Sequence, residues 1–358
     1  MIDKNAVMEA LAKIEDPELR RPLTDLDMID NVSISDDSVT VDVLLTIAGC
    51  PMKKKISEDI RGILRDIKGV ENVEINLGVM NDEQKKNLRI KLYGADHAGK
   101  TDEQGQPKPV AGDFADRIIA VASGKGGVGK STTTCNLAFA LNKLGYKVGI
   151  LDADVYGFSV PRIVGLSGQP TAIDDHIVPM LKDGIQVISM GFFVDEETPV
   201  IWRGPLLHKA VNQFIVDVLW DKLDFLLVDM PPGTGDVTLT IAQAMPKSEM
   251  LVITTPQPVA SHTAGRVARL AEKTNLKVLG VVENMSYYDV NGTRDYIFGK
   301  DGGKDLAKTL GVPFLGEIPI VTKIREASDQ GEPVVNSDDS ALGDYYMSIA
   351  RAVTETKG

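Results

Sequence analysis

One glycine-rich segment of the chain carries the residues with the clearest chemistry. It reads Gly-Lys-Gly-Gly-Val-Gly-Lys-Ser-Thr and consists of Gly124, Lys125, Gly126, Gly127, Val128, Gly129, Lys130, Ser131 and Thr132. It fits the pattern G-x-x-x-x-G-K-[ST], in which small glycines let successive backbone N–H groups turn toward one anion. We expect Lys130 to contact the β- and γ-phosphates of a nucleotide and the Ser131 hydroxyl to bind Mg²⁺. The segment therefore predicts a phosphate-binding loop.

The residues on either side of this loop predict the elements that position it. An apolar run at 118–121 precedes the loop and predicts a short strand. Leu137, Leu141 and Leu144 follow the loop at helical spacing, so we expect a helix to begin where the loop ends. Because the amino end of a helix carries positive partial charge, this order of strand, loop and helix favours a bound anion.

Three aspartates follow apolar segments further along the chain. Asp152 ends the predicted strand 147–152 and Asp154 comes just past it, and Asp229 ends the apolar run 225–229. A carboxylate at the end of a buried strand is well placed to hold Mg²⁺ or a water molecule, and Asp229 is predicted to hold Mg²⁺. Asp152 and Asp154 have a second interpretation as caps of a turn or helix, because aspartate side chains often accept hydrogen bonds from nearby backbone N–H groups.

Composition limits the classes of protein to consider. The chain has 358 residues, 43% of them apolar, which is enough for about two domains with a sizeable core. The net charge of −12 disfavours non-specific binding to nucleic acid. Its two cysteines, Cys50 and Cys135, are too few for a disulfide framework or a four-thiolate site within one chain. No apolar run reaches the roughly 18 residues of a membrane span, and the amino terminus lacks a signal-peptide core, so we expect a cytoplasmic protein without membrane contact.

The chain is predicted to contain two domains joined by a linker. Residues 1–80 combine helical and strand patterns and predict a small α+β domain. Residues 81–113 are polar and rich in glycine, proline, lysine and aspartate, which indicates a linker. Residues 114–358 predict an α/β domain with a mostly parallel sheet and helices on both faces. Strands of this domain are predicted at 117–122, 147–152, 185–190, 224–229, 249–254, 277–283 and 313–316.

Lys125 gives the loop a second lysine directly after its first glycine. The resulting sequence resembles the deviant Walker A group of ATPases, which includes the MinD, ParA, NifH and Mrp types, and it implies the fold of a P-loop NTPase. The resemblance also implies a homodimer that encloses two ATP molecules. In such a dimer Lys125 of one chain contacts the phosphates bound by the other. The alternative interpretation of Lys125 is a solvated loop residue.

Further segments resemble the Mrp/ApbC-type ATPases, which are ATP-dependent carriers of iron–sulfur clusters. These segments lie at residues 201–205, 229–236, 283–287 and 297–299. Residues 16–19 and 45–51 resemble the small domain that occurs in SufT-like iron–sulfur assembly factors. The resemblance implies slow hydrolysis of ATP and transfer of clusters to apo iron–sulfur client proteins, or contact with an assembly scaffold. The alternative is a MinD/ParA-like regulator or adaptor that binds no cluster, although the carboxyl-terminal segment lacks the basic amphipathic helix of MinD-type proteins.

The resemblance also implies roles for individual residues. Asp154 matches the residue that orients the attacking water, and Asp152 would support it. Asn284 matches the asparagine that contacts the nucleotide base, with turn capping as the alternative. No Asn-Lys-x-Asp segment that would read guanine occurs in the chain, so ATP is favoured over GTP.

The chain departs from the cluster-binding members of this group in one segment. Those members carry a C-x-x-C there, and two such pairs in a dimer would supply four thiolates to a 4Fe–4S cluster. Residues 288–296 contain no cysteine here. Instead, Asn291–Gly292 lies between β-prone residues and predicts a two-residue hairpin, because a type I′ turn requires positive φ at both positions. We therefore expect no bridging cluster at this place.

Cys50 is the remaining candidate ligand for iron. It precedes Pro51 at the predicted start of a helix, and three lysines at 53–55 follow, so positive charge should stabilise its thiolate. One interpretation is a reactive thiol that contacts iron, an iron–sulfur cluster or a client thiol, and the other is an inert, half-buried cysteine. Cys135 falls within the helix predicted after the phosphate loop and is expected to lie in the core.

Overall fold

The structure is a computed structural model of the full chain. It describes residues 2–17, 19–47, 52–93, 114–154, 157–173, 176–193, 213–234, 239, 241, 244–274, 276–337 and 340–356. The chain divides into two compact units. One comprises Met1–Ala98 with Thr171–Val178, and the other comprises Gly99–Pro170 with Pro179–Gly358.

The first unit is built on a three-stranded sheet. Its strands are β1 (Ile29–Ser35), β2 (Ser38–Leu45) and β3 (Asn72–Val79), and its first two helices are α1 (Lys4–Leu11) and α2 (Lys53–Arg65). β2 lies in the middle, antiparallel to β1 and parallel to β3. Every second residue of β2 is buried, whereas α2 buries Ile56, Ile60 and Leu64 at helical spacing. These two periodicities form the apolar faces of the strand and the helix.

A third helix, α3 (Asp82–Tyr93), occupies the beginning of the segment that was predicted to be a linker. A capping box defines its start. The Asn81 side chain accepts a hydrogen bond from the Gln84 N–H, and the Gln84 side chain accepts one from the Asn81 N–H, both at 2.9 Å. Leu88 is buried. This polar sequence is therefore helical because its first donors are satisfied and one apolar side chain is buried.

The linker prediction is corrected accordingly over residues 82–93. Composition alone favoured a linker, because it gives no weight to a pair of reciprocal side-chain hydrogen bonds. The remainder of that segment, residues 94–113, lies outside the described residues. The first unit also includes two short antiparallel strands from later in the chain, β6 (Ala172–Ile173) and β7 (His176–Ile177), and α3 contacts β6.

The second unit is built on a nine-stranded, mostly parallel sheet. Its strands are β4 (Ala115–Ser123), β5 (Val148–Asp152), β8 (Met180–Lys182), β9 (Ile185–Ser189), β10 (Leu223–Asp229), β11 (Glu249–Thr254), β12 (Lys277–Val290), β13 (Thr293–Asp295) and β14 (Phe314–Ile320). Their order is β13–β12–β11–β4–β10–β5–β9–β8, and β14 pairs with β12. β8 and β13 run antiparallel to their neighbours, whereas the other pairs are parallel.

All seven strands predicted for this unit are present. The predicted ends agree with the structure to within two residues, except that β12 continues to Val290 and β14 to Ile320. β9 and β11 are buried along their whole length, which explains why most of their residues are apolar. β12 was predicted too short because its last residues leave the core and form an exposed hairpin.

Helices cover both faces of this sheet. They are α4 (Lys130–Lys143), α5 (Val160–Val164), α6 (Pro258–Lys273), α7 (Gly302–Leu310), α8 (Thr322–Gln330) and α9 (Ser340–Glu355). The connection from β4 through α4 to β5 and the connection from β11 through α6 to β12 run in opposite directions along the sheet. Because such crossovers are right-handed, α4 and α6 lie on opposite faces. α4 packs against α9, and α6 packs against α7.

The architecture confirms the predicted fold class, an α/β sheet with a small α+β unit before it. In the part of the chain that the structure describes, no helix combines the length and the apolar character needed to cross a bilayer.

Candidate nucleotide-binding site

The phosphate loop joins the end of β4 to the start of α4, as the sequence predicts. Gly127 and Gly129 have φ of 78° and 81°, a left-handed conformation that favours glycine. A side chain at Gly124 would collide with the backbone of Ala264 in α6. A methyl group added at Gly126 or Gly127 would meet no atom within 4 Å, so the space above this part of the loop is open to a ligand.

Asp229 is the centre of a buried polar cluster at the start of α4. Its Oδ2 lies 2.8 Å from the Lys130 Nζ and accepts a hydrogen bond from the Ser131 hydroxyl at 2.5 Å. Its Oδ1 accepts a hydrogen bond from the Thr134 hydroxyl at 2.8 Å. Asp229 is fully buried and Lys130 is 6% exposed. The oxygens of Ser131 and Asp229 are the kind of ligand that Mg²⁺ prefers, so these residues fit a Mg²⁺ site.

Asp152 lies beside Asp229 because the two strands that end in these residues are paired in register. Asp152 accepts hydrogen bonds from the Ser189 hydroxyl at 2.8 Å and from the Asp154 N–H at 3.1 Å. Burial, together with the nearby charge of Asp229, raises the pKa of Asp152 to about 7. The side chain of Asp152 therefore fixes the backbone at Asp154.

Asp154 has the contacts expected from both of its interpretations. Its Oδ1 accepts a hydrogen bond from the Gly157 N–H at 3.1 Å, so it caps a turn. Its Oδ2 lies 3.9 Å from the Lys130 Nζ, so its carboxylate also faces the phosphate loop. The structure thus brings together Lys130, Ser131, Asp154 and Asp229, although they come from three separate parts of the chain.

Asn284 belongs to β12, and its side chain contacts the phosphate loop. Its Nδ2 donates a hydrogen bond to the Val128 carbonyl at 2.8 Å and leaves no room for a side chain at Gly129. The next residue, Met285, has φ of 56°, which is uncommon for a methionine, and the register of β12 against β14 shifts between Asn284 and Tyr288. Backbone strain of this kind often occurs at binding sites.

A cavity of about 710 Å³ opens beside the loop at Asn284. Its apolar wall includes Met285, Ile297, Phe298, Pro319, Ile320, Val321 and Ile324, and Gly129 and Thr132 border it on the loop side. This size and mostly apolar lining suit a flat heterocycle. Sequence reasoning missed the wall formed after β14. The signal was available, because ligands of parallel sheets bind beyond the carboxyl ends of the strands, and β14 ends at Ile320.

Lys125 is directed away from this cluster. Its Nζ donates a hydrogen bond to the Gln257 Oε1 at 2.8 Å, on the opposite side of β4 from Asp229. Of the two loop lysines predicted to bind phosphate, Lys130 lies in the Asp229 cluster and Lys125 lies outside it. Sequence reasoning did not single out Gln257, Ser189 or Thr134.

The hairpin predicted in place of the C-x-x-C is confirmed. β12 and β13 pair antiparallel with Val290 opposite Thr293, and Asn291 and Gly292 have φ of 53° and 83°. The Gly292 N–H donates to the Asp289 side chain at 2.8 Å. At the base of the hairpin the Arg294 guanidinium lies 4.0 Å from the centre of the Tyr287 ring.

Of the two cysteines, only Cys135 lies in the described part of the chain. Cys50 lies outside the described residues. Cys135 is buried in α4, as predicted, and burial raises the pKa of its thiol well above the ordinary value. Among the residues that are described, no group of three or more His, Cys, Asp or Glu side chains is placed to hold a metal ion.

The fold and the glycine-rich loop define the class of the protein, a P-loop NTPase of the ParA and MinD type. Residues 115–354 match the family model of the NUBPL iron-transfer P-loop NTPase, and residues 4–77 match that of an iron-sulfur cluster assembly protein. The chain belongs to the NUBPL iron-transfer P-loop NTPase family, which confirms the resemblance drawn from the sequence.

Curated relatives match about two thirds of the chain or more, and two of the three described below match nearly all of it. One from Mycobacterium tuberculosis, called an iron-sulfur cluster carrier protein, is 45% identical over 354 residues, which are 96% of this chain and 91% of the relative. Another of the same name from Bacillus subtilis is 38% identical over 99% of this chain and 98% of the relative. A third, from Aquifex aeolicus, is 47% identical over 66% of this chain and 67% of the relative.

Solved structures resemble the second unit. A nucleotide-binding protein of Archaeoglobus fulgidus in complex with ADP has a TM-score of 0.56 and 37% identity, over 66% of this chain and 90% of that chain. The cell division ATPase MinD of Pyrococcus furiosus has a TM-score of 0.52 and 26% identity, over 68% of this chain and 100% of that chain.

Proposed function

We propose that this protein binds and slowly hydrolyses ATP with Mg²⁺, and that it uses this cycle to deliver iron–sulfur clusters to apo proteins. The observation that carries the ATPase part is the buried cluster of Lys130, Ser131 and Asp229 with Asp154 beside it. The name of the full-length relatives, iron-sulfur cluster carrier protein, supports the carrier part. The ADP complex of the similar A. fulgidus protein supports binding of an adenine nucleotide.

The residues of the loop would bind and orient the triphosphate. Backbone N–H groups of residues 124–132 would bind its oxygens, and the Lys130 ammonium, which now contacts Asp229, would gain the β- and γ-phosphate oxygens as acceptors. Ser131 and Asp229 would hold Mg²⁺, which supplies positive charge to the same oxygens when bound. Asp154 would accept a hydrogen bond from the attacking water, and Asp152 would keep Asp154 in place through its backbone.

The base would occupy the cavity beside Asn284. Its apolar wall would cover the two faces of an adenine ring, and the asparagine side chain would lie at its polar edge. Asn284 also donates to the Val128 carbonyl, so the base pocket and the phosphate loop are joined by one hydrogen bond. Turn capping by Asn284 is the competing role, and an Asn284→Ala variant with unchanged affinity for ATP would favour it.

We propose further that the active form is a homodimer in which Lys125 reaches the phosphates bound by the partner. Lys125 makes no contact with its own Asp229 cluster, and this supports a use elsewhere. Replacing Lys125 by alanine should abolish both ATP-dependent self-association and turnover. Unchanged turnover and self-association in Lys125→Ala would overturn the shared-site mechanism.

The two family matches also support a division of labour between two domains, at residues 1–80 and 114–358. The amino-terminal domain would contact client proteins or a scaffold. Its Cys50 would contact iron, a cluster or a client thiol, and because a dimer supplies only two such thiolates, a small thiol or a client would complete the ligand set.

Reconstitution with iron and sulfide tests the carrier function. The wild-type chain, with a small thiol present, should acquire cluster absorbance and restore activity to an apo iron–sulfur enzyme, whereas Cys50→Ser should do neither. Cys135→Ser serves as the matched control, because Cys135 is a buried core residue. Absence of both cluster absorbance and client activation in the wild type would refute the carrier proposal.

A second candidate function is a nucleotide-gated regulator or adaptor without a cluster. The hairpin of β12 and β13 favours it, because this hairpin carries no thiolate where cluster-binding members have a C-x-x-C. ATP-dependent dimerisation combined with a negative reconstitution result would favour this candidate over the carrier.

A further inference from the structure

The two lysines of the phosphate loop are held on opposite sides of β4. Lys130 contacts Asp229 at the end of β10, whereas Lys125 contacts Gln257 in the segment that follows β11. β10 and β11 are the two neighbours of β4 in the sheet. The two lysines of the loop therefore have acceptors on opposite sides of β4. While the Lys125 Nζ contacts Gln257, it lies away from the Asp229 cluster that Lys130 joins.

The backbone around Lys125 is fixed by its own contacts. Gly124 packs against the backbone of Ala264 so closely that no side chain fits between them. The Ser123 hydroxyl donates a hydrogen bond to the Lys125 carbonyl at 3.1 Å. Because the Cα of Lys125 is held in this way, its ammonium group can change partner only by rotation of its side chain.

Gln257 is well suited to hold this ammonium group reversibly. Both side chains are half-buried, and the Lys125 Nζ lies 2.8 Å from the Gln257 Oε1. The same oxygen accepts a hydrogen bond from the Thr255 hydroxyl at 3.4 Å, which orients the amide. A neutral amide accepts a hydrogen bond from the ammonium group without forming an ion pair. A carboxylate in its place would form an ion pair, which is harder to break.

We propose that Gln257 is a positioning residue that holds Lys125 in a resting position in the unpaired chain, and that this hydrogen bond must break before Lys125 can reach the phosphates of a partner subunit. The inference rests on the proposed use of Lys125 across a dimer. Breaking the Lys125–Gln257 hydrogen bond costs free energy when two chains pair. Only the contact of Lys125 with a triphosphate bound to the partner subunit can offset this cost. Gln257 thus makes self-association depend on nucleotide.

Two substitutions at the same position test this proposal in opposite directions. Self-association of the full chain is measured by sedimentation with Mg²⁺ and a non-hydrolysable ATP analogue, so that turnover does not intervene. Gln257→Ala should strengthen self-association about 10- to 100-fold, because a dimer breaks two such hydrogen bonds and each is worth about 3- to 10-fold at a half-buried site. Gln257→Glu keeps the shape of the side chain and should weaken self-association by a similar factor.

The control variant is Val259→Ala, which changes an exposed side chain (70% exposed) in the first turn of α6, two residues after Gln257. It should self-associate like the parent. Equal self-association of Gln257→Ala and the parent, or a shift of both Gln257 variants in the same direction, would overturn the role of Gln257 alone. Normal pairing of Lys125→Ala would overturn the shared-site mechanism as well.

Discussion

The nucleotide end of the sheet and the β12–β13 hairpin differ in the side chains that they offer to a ligand. At the nucleotide end, Asp229 is fully buried and accepts contacts from Lys130, Ser131 and Thr134. The hairpin is exposed, and apolar side chains such as Val290 (45% exposed) reach solvent. It has a cation–π contact between Arg294 and Tyr287 but no thiolate.

This difference indicates that the nucleotide end and the hairpin are structurally independent parts of the fold. The nucleotide site is built from loops at the ends of buried strands, and its side chains depend on one another through hydrogen bonds. The hairpin is a two-strand extension held by a turn with Asn291 and Gly292. A change of residues in such an extension leaves the core of the sheet intact.

Removal of Lys130 should have the largest effect. Lys130→Ala takes away the charge that would contact the β- and γ-phosphates and leaves the Asp229 carboxylate without its ion-pair partner. We expect turnover of ATP to fall about 10³-fold. Steady-state phosphate release is the measurement, and circular dichroism checks that the variant is folded. A loss of less than tenfold would show that the cluster around Asp229 does not act on the triphosphate.

Introducing two cysteines into the hairpin should allow it to bind a cluster. Val290 and Thr293 face each other across the turn and have the spacing of a C-x-x-C. The double variant Val290→Cys with Thr293→Cys, kept reduced and given iron and sulfide, should bind a cluster in a dimer through four thiolates. Iron content and visible absorbance report the result. If the double variant binds no more iron than an Asp289→Ala control, two thiolates are not sufficient for cluster binding at this hairpin.

Two glycines with the same backbone conformation should respond differently in the two regions. Gly129 and Gly292 have φ of 81° and 83°, but only Gly129 lies against the Asn284 side chain. Gly292→Ala should lower the free energy of unfolding by about 1 kcal/mol, the cost of a left-handed alanine. Gly129→Ala should cost about 2–4 kcal/mol and weaken ATP binding, since Asn284 must also move. If thermal unfolding shows the same loss of stability for Gly129→Ala and Gly292→Ala, Asn284 does not restrict the space at Gly129.

The buried Asp152 should give the nucleotide-free protein a specific pH dependence. Its pKa is raised to about 7, so the folded protein keeps a proton that the unfolded chain releases above about pH 4. Stability should therefore fall as the pH rises from about 4 to about 7, by at most about 1.4 kcal/mol per pH unit. Asp152→Asn should remove this slope in unfolding measured at several pH values. A parent and variant with parallel pH profiles would show that Asp152 is already ionised.

Much of the nucleotide end could be predicted from the sequence for a physical reason. Strands buried on both faces are short apolar runs, so β4, β10 and β11 were found with nearly correct ends. Each acid was predicted at the end of a strand, and because parallel strands end at one edge of the sheet, Asp152 and Asp229 lie side by side. The Asn291–Gly292 turn was predictable because few sequences tolerate two positive φ angles.

What could not be predicted depends on contacts between distant parts of the chain. Gln257 lies 132 residues from Lys125, and no local pattern marks it as the partner of that lysine. Ser189 likewise gains its role only from the pairing of β5 with β9, which puts its hydroxyl on Asp152. The helix α3 was missed for a different reason, because its stability comes from the capping box of Asn81 and Gln84 rather than from an apolar stripe.

The most direct test of the nucleotide site is a comparison of the parent with Asp154→Asn. Asparagine keeps the size of the side chain and an oxygen that can cap the turn at Gly157, but it removes the negative charge that would orient the attacking water. Steady-state turnover and equilibrium binding of ATP with Mg²⁺ are measured on the same preparations. The account predicts a fall in turnover of about 10²-fold or more with affinity for ATP nearly unchanged. Turnover by Asp154→Asn at the parental rate would contradict it.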